Sequence, residues 1–201
     1  MRFLLASASS GRLRTLRHAG VEPEVEVSGV DEEAITAPTP TDLVRELAHA
    51  KAVAVAGRQR GELLVLGCDS MLELDGAALG KPSSAEEAIA RWKSMRGRTA
   101  VLRTGHTLIE VAGSAAVRMS DRVASTEVRF AEPSDAEIEA YVGTGEPLRV
   151  AGAFTVDGLG GWFVEAVAGD HHNVVGLSLP LLRRMLLDFG YAVSDLPTAA
   201  R

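Results

Sequence analysis

The chain is poor in cysteine, in aromatic residues and in long apolar runs. Its 201 residues include one cysteine and 4% aromatic residues, although 46% of the residues are hydrophobic. A single cysteine excludes an intrachain disulfide, as is usual in a reducing compartment. No stretch reaches the roughly 20 apolar residues of a membrane-spanning helix. The apolar start at Met1 is also too short for the core of a signal peptide. We therefore expect a globular cytoplasmic protein without membrane contact.

The chain also has no tract of basic residues. It carries 21 Lys and Arg against 27 Asp and Glu, which gives a formal net charge of −6. Proteins that bind nucleic acids generally present a clustered basic surface. We therefore expect no nucleic-acid partner. An anionic ligand would need local positive charge, or a metal ion, to overcome the overall negative field.

Helical and strand patterns alternate along the chain, with no internal repeat and no low-complexity linker. This alternation predicts one α/β domain over residues 1–201, with helices flanking a mixed, twisted sheet. The predicted strands cover 3–7, 24–28, 63–82 as a hairpin, 99–111, 115–130 and 162–167. The predicted helices cover 10–19, 42–57, 85–95, 133–142 and 174–189, and the glycine-rich segment 143–161 is expected to be irregular.

The most informative segment is the apolar run 63–66, which leads through Gly67 and Cys68 to Asp69. Such a run predicts a strand that is buried on both faces, with Cys68 as a small core residue. The predicted strand ends on the carboxylate of Asp69. In open α/β sheets, ligands bind just beyond the carboxyl ends of such strands, and a carboxylate is costly to bury without a partner or a task.

A hairpin turn is predicted at the Asp75-Gly76 pair that follows this strand. Counting back from the turn places Lys81 opposite Ser70 or Met71, and so close to Asp69. An acid beside a base at a strand terminus suits a site for metal and phosphate. A structural ion pair at the mouth of the hairpin is the alternative explanation.

The loop after the first strand is a candidate anion site. Ser7 and Ser9 supply hydroxyl groups next to the exposed N–H groups of a predicted helix N-terminus, which binds anions well. Arg12 lies in the first helical turn, where a cation opposes the helix dipole unless it meets negative charge. The alternative is a serine cap with a solvated arginine.

Lys51 and Glu32 are two further candidates. Lys51 falls in the apolar stripe of the helix predicted over 42–57, where a lysine either extends to the rim or reaches a counter-charge. Glu32 belongs to the acidic run 31–33, which is typical of a solvated loop. If the fold brings this run close to Asp69, the two carboxylates could hold Mg²⁺ or Mn²⁺ against phosphates.

Over about residues 3–190 the chain resembles the Maf family of nucleotide pyrophosphatases. The family's opening Leu-Ala-Ser-x-Ser-Pro-Arg-Arg is similar to residues 5–12, and its Gly-Ala-Asp-Thr is similar to residues 67–70. Shorter family motifs follow in the same order and spacing, at residues 31–32, 51–52, 79–82, 97–99, 104–105, 126–130, 146–147, 151–152, 169–170 and 173–177.

The resemblance implies an enzyme that hydrolyses nucleoside triphosphates, non-standard or modified ones among them, to the monophosphate and pyrophosphate. It gives Asp69 the role of general base and metal ligand, with Glu32 as a second ligand for Mg²⁺ or Mn²⁺. Arg12, Lys51 and Lys81 would hold the phosphates, together with the serine hydroxyls of the first loop. The resemblance also implies two lobes around a central cleft, as in inosine-triphosphatase-like proteins, and a homodimer.

Two other functions fit the same charged residues. A nucleotidyltransferase would also use basic loops and acidic metal ligands, with an acceptor in place of water. A nucleotide-binding regulator of cell division would bind without turnover. Release of pyrophosphate in the absence of an acceptor separates hydrolysis from both.

The chain departs from the family pattern where the base is read. Members that prefer uracil or thymine carry Ile-Gln-Gly where this chain has Val156, Asp157 and Gly158, and threonine where it has Ser70. An amide both donates and accepts, whereas an ionised carboxylate only accepts. Asp157 would therefore set acceptor against acceptor at the carbonyl groups of a pyrimidine. The alternative is that Asp157 faces solvent and backbone groups decide.

We predict that the protein lacks the strong preference for UTP and dTTP, and that Asp157→Gln moves its selectivity towards them, because unmatched polar groups reject a base. The measurement is kcat/KM for UTP, dTTP, CTP, GTP and modified-base triphosphates in both proteins. A wild-type enzyme that is strongly selective for UTP and dTTP, and unchanged by the substitution, would contradict this prediction.

Overall fold

The computed structural model describes residues 1–198, which pack as two compact units. Of the described residues, the first unit contains 1–69, 104–124 and 176–198. The second unit contains residues 70–103 and 125–175. Neither unit is continuous in sequence: three of the four boundaries fall inside long strands, and the fourth falls before Gly176.

The sheet is mixed, as the sequence predicts. Its strands run in the order β2-β1-β3-β5-β6-β7, with β4 paired to β3. Strand β1 is parallel to β2 and β3, whereas β3–β4 and β6–β7 are antiparallel. The strands are β1 (Arg2–Leu5), β2 (Glu24–Val25), β3 (Leu63–Leu74), β4 (Ala77–Leu79), β5 (Thr99–Ala112), β6 (Ala115–Phe130) and β7 (Val164–Ala168).

Helices alternate with these strands, which confirms the α/β class. They are α1 (Ser10–His18), α2 (Pro40–Ala56), α3 (Ala85–Met95), α4 (Asp135–Gly143), α5 (His171–Val175) and α6 (Leu179–Asp188). Short 3₁₀ segments cover Pro147–Arg149, Ala151–Ala153, Leu159–Phe163 and Val193–Asp195. Across residues 1–198, no helix has both the length and the apolar character needed to cross a membrane.

The first unit buries its central strands on both faces, as the apolar run predicts. Phe3 of β1 and Leu64 of β3 belong to one hydrophobic cluster, and their neighbours Leu4 and Val65 belong to another. Successive side chains of a strand point to opposite faces. The two clusters therefore lie on the two sides of the same strands.

Helix α2 lies very close to β3 and β5 at two glycines of the first unit. A Cβ atom added at Gly67 would lie 2.8 Å from the Cβ atom of Ala52 and would overlap the carbonyl of Ala48. One added at Gly105 would overlap the backbone of Val44. Any larger residue would force the helix away from the sheet, so these glycines set the position of α2.

The second unit packs around Trp92 of α3, which is fully buried. Its ring contacts Phe130, Tyr141 and Phe163 edge-on, with ring centroids 5.5 to 5.6 Å apart. Its indole N–H donates to the carbonyl oxygen of Ala153 at 2.8 Å, so the polar atom of this core residue is satisfied.

Strand β3 does not end at Asp69, contrary to the sequence prediction. It continues to Leu74, because buried Leu72 and Leu74 alternate with half-buried residues and extend the core face. The predicted Asp75-Gly76 turn is confirmed, since Leu74 pairs with Ala77. Both turn residues have positive φ, 52° and 81°, as a type I′ hairpin turn requires.

Two predicted helix boundaries are wrong for reasons of local chemistry. Helix α2 begins at Pro40 instead of near residue 42, because Thr39 caps it and proline suits the first helical position. The predicted helix 174–189 is two helices. Gly176 has a φ of 119°, which a helix cannot contain, and Ser178 then caps α6.

Two predicted strands are shorter than expected. Of the predicted strand 24–28, only Glu24–Val25 forms β2, although the Glu26 N–H still donates to Leu5. Of the predicted strand 162–167, the first two residues belong to the 3₁₀ segment Leu159–Phe163. The helix predicted over 133–142 is confirmed, with Ser134 as its cap.

Candidate active site

The fold brings Glu32, Lys51 and Asp69 together in the first unit. Lys51 lies on the inner face of α2 and is only 7% exposed. Its ammonium nitrogen is 2.5 Å from Asp69 Oδ1 and 2.7 Å from Glu32 Oε1. The side chains of Lys51 and Asp69 are each 9% exposed, whereas that of Glu32 is 53% exposed. Of the two alternatives that the sequence left open for Lys51, the structure shows the second: the side chain reaches counter-charges and does not extend to the rim.

Each member of this cluster is positioned by a different element. Asp69 lies within β3, two residues after Gly67, where α2 packs closely against the strand. Lys51 belongs to α2, where it precedes Ala52, one of the residues that pack against Gly67. Glu32 comes from the loop 26–39, and its acidic run is not merely a solvated loop, since one of its carboxylates is bound to a buried ammonium group. Burying the two charges of Lys51 and Asp69 carries a desolvation cost that packing alone does not require.

The first loop forms a second group of polar side chains in this unit. Ser9 caps α1 and accepts from the Arg12 N–H at 3.4 Å. The Ser7 hydroxyl accepts from the Ser9 N–H at 3.2 Å and from Arg12 Nη1 at 3.0 Å. The structure therefore brings together the three predicted residues of this loop. Arg12 is buried instead of solvated, which excludes the alternative explanation for it.

Two residues that support Arg12 were not recognised from the sequence. Arg12 Nε donates to the carbonyl oxygen of Gly176 at 2.8 Å. Two residues further along the chain, the Ser178 N–H donates to His106 Nε2 at 2.9 Å, and His106 Nδ1 lies 3.0 Å from the Thr104 carbonyl oxygen. These contacts place the ring proton on Nδ1. His106 thereby holds the segment that orients the guanidinium group.

Cys68 has no place in this chemistry. Its side chain is completely buried in the hydrophobic core of the first unit, as expected. Burial raises the pKa of the Cys68 thiol to about 12. Because the thiolate is the reactive form, a nucleophilic role is excluded.

Three predicted site residues belong to the second unit. Ser70 is the next residue of β3 after Asp69 and is half-buried. Lys81 is exposed and follows two residues after the end of β4, so it lies outside the ladder in which it was expected to face Ser70 or Met71. Asp157 is exposed in the irregular segment before Leu159–Phe163. Their predicted roles towards phosphate and base stay predictions.

The carboxylates of the first unit suit a hard divalent cation. Glu32 and Asp69 direct oxygen atoms at one positive centre, the Lys51 ammonium group. Within residues 1–198, no cluster of three or more His, Cys, Asp or Glu side chains is arranged to hold a metal. Mg²⁺ is commonly bound by one or two carboxylates, with phosphate oxygens and water completing its coordination. Glu32 and Asp69 therefore fit a cation that binds together with a phosphate ligand.

Comparison with known proteins gives consistent matches over nearly the whole chain. The family described as Maf-like protein matches residues 2–189. The nucleoside triphosphate pyrophosphatase of Streptomyces coelicolor is 58% identical over 196 residues, which cover 97% of this chain and 94% of that protein. The protein of the same name from Thermosynechococcus vestitus is 54% identical, with 96% of each chain covered.

Solved structures give a weaker likeness. The Staphylococcus aureus Ham1 protein matches with a TM-score of 0.42 and 15% identity, over 66% of this chain and 73% of that chain. A nucleoside-triphosphatase described as a dITP/XTP pyrophosphatase from Mycobacterium abscessus matches with a TM-score of 0.40 and 16% identity, over 66% and 76%.

We predict that Lys51→Met lowers the free energy of unfolding by about 3 kcal/mol, because it leaves Asp69 buried without its cation. The matched control is Lys93→Met, which removes an exposed lysine that lies 2.8 Å from Asp135 and is expected to cost less than about 1 kcal/mol. Urea unfolding measures both values. Equal decreases in the free energy of unfolding in the two variants would show that the buried Lys51–Asp69 pair contributes no more to stability than an exposed pair.

Proposed function

Because the chain belongs to the Maf-like protein family, we propose that it is a nucleoside triphosphate pyrophosphatase that releases pyrophosphate by attack of water on the α-phosphorus. The substrates proposed are nucleoside triphosphates, non-standard or modified ones among them. The observation that carries the proposal is the cluster of Glu32, Lys51 and Asp69. It combines an acceptor for a proton with a cation for phosphate oxygens in one place.

Asp69 takes the proton from the attacking water in this proposal. Its carboxylate is held in place by Lys51 at 2.5 Å and by its position within β3. A general base must be fixed within hydrogen-bond reach of the proton that it removes. The rigid strand and the ion pair together restrict the rotamers of Asp69, which supports that role.

The basic side chains and the first loop bind the triphosphate in this proposal. Lys51 offers an ammonium group beside the general base, and Arg12 offers a guanidinium group held by Gly176 and Ser7. Ser7, Ser9 and the N–H groups at the start of α1 add neutral donors. We propose that Lys81 supplies a further cation to the phosphates.

Mg²⁺ or Mn²⁺ would be held by Glu32 and Asp69 in this proposal, and it would neutralise charge on the phosphates and polarise the group under attack. The chain itself carries a net charge of −6, so its overall field opposes the approach of a triphosphate. The Glu32 side chain is 53% exposed, so a cation could reach it from solvent.

A cytoplasmic location and a homodimer belong to the same proposal. A nucleotidyltransferase and a nucleotide-binding regulator remain the other candidates, and neither requires a proton acceptor that activates water. Release of pyrophosphate from a triphosphate in the absence of any acceptor is therefore the observation that separates the three.

We predict that Asp69→Asn abolishes turnover and leaves the fold intact. The amide keeps the shape of the side chain but takes up no proton, and loss of a general base costs about 10² to 10⁴ in rate. Monophosphate formation is measured by chromatography. The control is Asp75→Asn, at the hairpin turn and ion-paired with Arg98, where asparagine also tolerates positive φ. A folded Asp69→Asn enzyme with turnover within tenfold of wild type would overturn the mechanism.

We also predict that excess chelator abolishes monophosphate formation and that Mg²⁺ or Mn²⁺ restores it. The reason is that a triphosphate bound near Glu32 and Asp69 brings more negative charge to the site than the nearby basic groups balance. Direct chromatography of the product avoids coupling enzymes that need metal themselves. Undiminished activity in chelator, with metal content confirmed by elemental analysis, would contradict the prediction.

A further inference from the structure

A carboxylate outside the proposed chemistry receives four hydrogen bonds in the second unit. Glu146 Oε1 accepts from the Tyr141 hydroxyl at 2.8 Å, from the Thr155 hydroxyl at 2.6 Å and from the Gly160 N–H at 3.0 Å. Glu146 Oε2 accepts from the Leu159 N–H at 3.0 Å. A surface carboxylate can be solvated by water alone, so four protein donors indicate a structural role for Glu146.

Three of the four donors come from the two ends of one short segment, residues 155–160, which we call the 155–160 loop. Thr155 binds Glu146 from one end, and the N–H groups of Leu159 and Gly160 bind it from the other. Asp157 lies between them and is exposed. Because both ends are tied to the same carboxylate, the backbone on either side of Asp157 is held in one conformation.

The glycines of the loop allow this close approach. A Cβ atom added at Gly158 would lie 2.6 Å from Glu146 Oε2, and one added at Gly160 would overlap the Tyr141 hydroxyl. Side chains at either position would push the backbone away from the carboxylate. The loop is therefore built around Glu146, instead of merely touching it.

The charge on Glu146 is part of the arrangement. Burial acts to raise the pKa of Glu146, but hydrogen bonds from Thr155, Gly160, Leu159 and Tyr141 outweigh it and hold that pKa below its usual value. Burial and the neighbouring carboxylate raise the pKa of Tyr141, so the phenol is the donor. A neutral amide in place of Glu146 has only one acceptor oxygen for these four donors.

We propose that Glu146 is a positioning residue for base recognition: it fixes the 155–160 loop so that Asp157 is presented to the nucleobase. The inference rests on the proposed function, since Asp157 meets a base only if the substrate is a nucleotide. Glu146 itself acts through the loop, without contacting the substrate.

The first test reads the loop without any substrate. In Glu146→Gln, hydrogen exchange at the Leu159 and Gly160 amides, followed by NMR, should accelerate by about tenfold, as expected for loss of a hydrogen bond to a charged acceptor. The control is Glu139→Gln, an exposed carboxylate on α4, which should leave both rates unchanged. Unchanged exchange in Glu146→Gln would overturn the proposal.

The second test compares bases. The ratio of kcat/KM between the best and the poorest of a panel of triphosphates should fall by about tenfold in Glu146→Gln, while kcat on the best substrate stays within about twofold. In an Asp157→Ala background, Glu146→Gln should leave the ratio unchanged, because the residue acts through Asp157.

The outcomes of this comparison are distinct. The positioning role would be overturned if Glu146→Gln lowered kcat/KM equally for every base, or if it left the kcat/KM ratio as in wild type. It would also be overturned if the wild-type ratio were near one, or if the change in ratio persisted in the Asp157→Ala background. A wild-type protein that releases no pyrophosphate from any triphosphate would instead refute the proposed function, and the exchange rates would still report whether Glu146 orders the loop.

Discussion

The candidate active site depends on one costly interaction, the buried ion pair between Lys51 and Asp69. Removing each ion from water costs several kcal/mol, and the attraction between the two compensates only when the geometry is close. That geometry requires α2 to lie almost against β3, which Gly67 allows because it has no Cβ atom. Two apolar residues of similar volume could fill the same space with no desolvation cost. Chemistry is therefore a better explanation for the pair than stability.

The other polar residues of this unit are arranged by contacts between segments that are distant in the chain. Glu32 reaches the pair from a loop, while Arg12 is oriented by Gly176 in the segment before α6. His106 of β5 holds that segment through Ser178. Arg12 and Lys51 lie on helices and Asp69 lies on a strand, and such rigid elements hold charged groups at fixed distances from one another. In the second unit, Glu146 gives the 155–160 loop the same kind of support.

Local chemistry determines which parts of this description the sequence could predict. The Asp75-Gly76 turn and the Ser134 cap follow from rules that act within a few residues, and both are confirmed. The buried face that carries Lys51 is visible as helical periodicity. The passage of β3 through Asp69 and the break before α6 depend on packing that the local pattern does not contain. The Glu146 contacts were not predicted, although residues 146–147 match a family motif, because hydrogen bonds to backbone N–H groups can be made to any residue type and leave no signal in the sequence.

The most direct test of the central claim is the double variant Lys51→Met/Asp69→Leu, for which unfolding in urea and monophosphate formation are measured on the same preparation. If the pair is maintained for hydrolysis, the double variant should be at least as stable as the wild-type protein, because replacing a buried ion pair by apolar residues is often neutral or stabilising. It should also form no monophosphate. A double variant that loses several kcal/mol of stability, or that still hydrolyses triphosphates, would contradict the account.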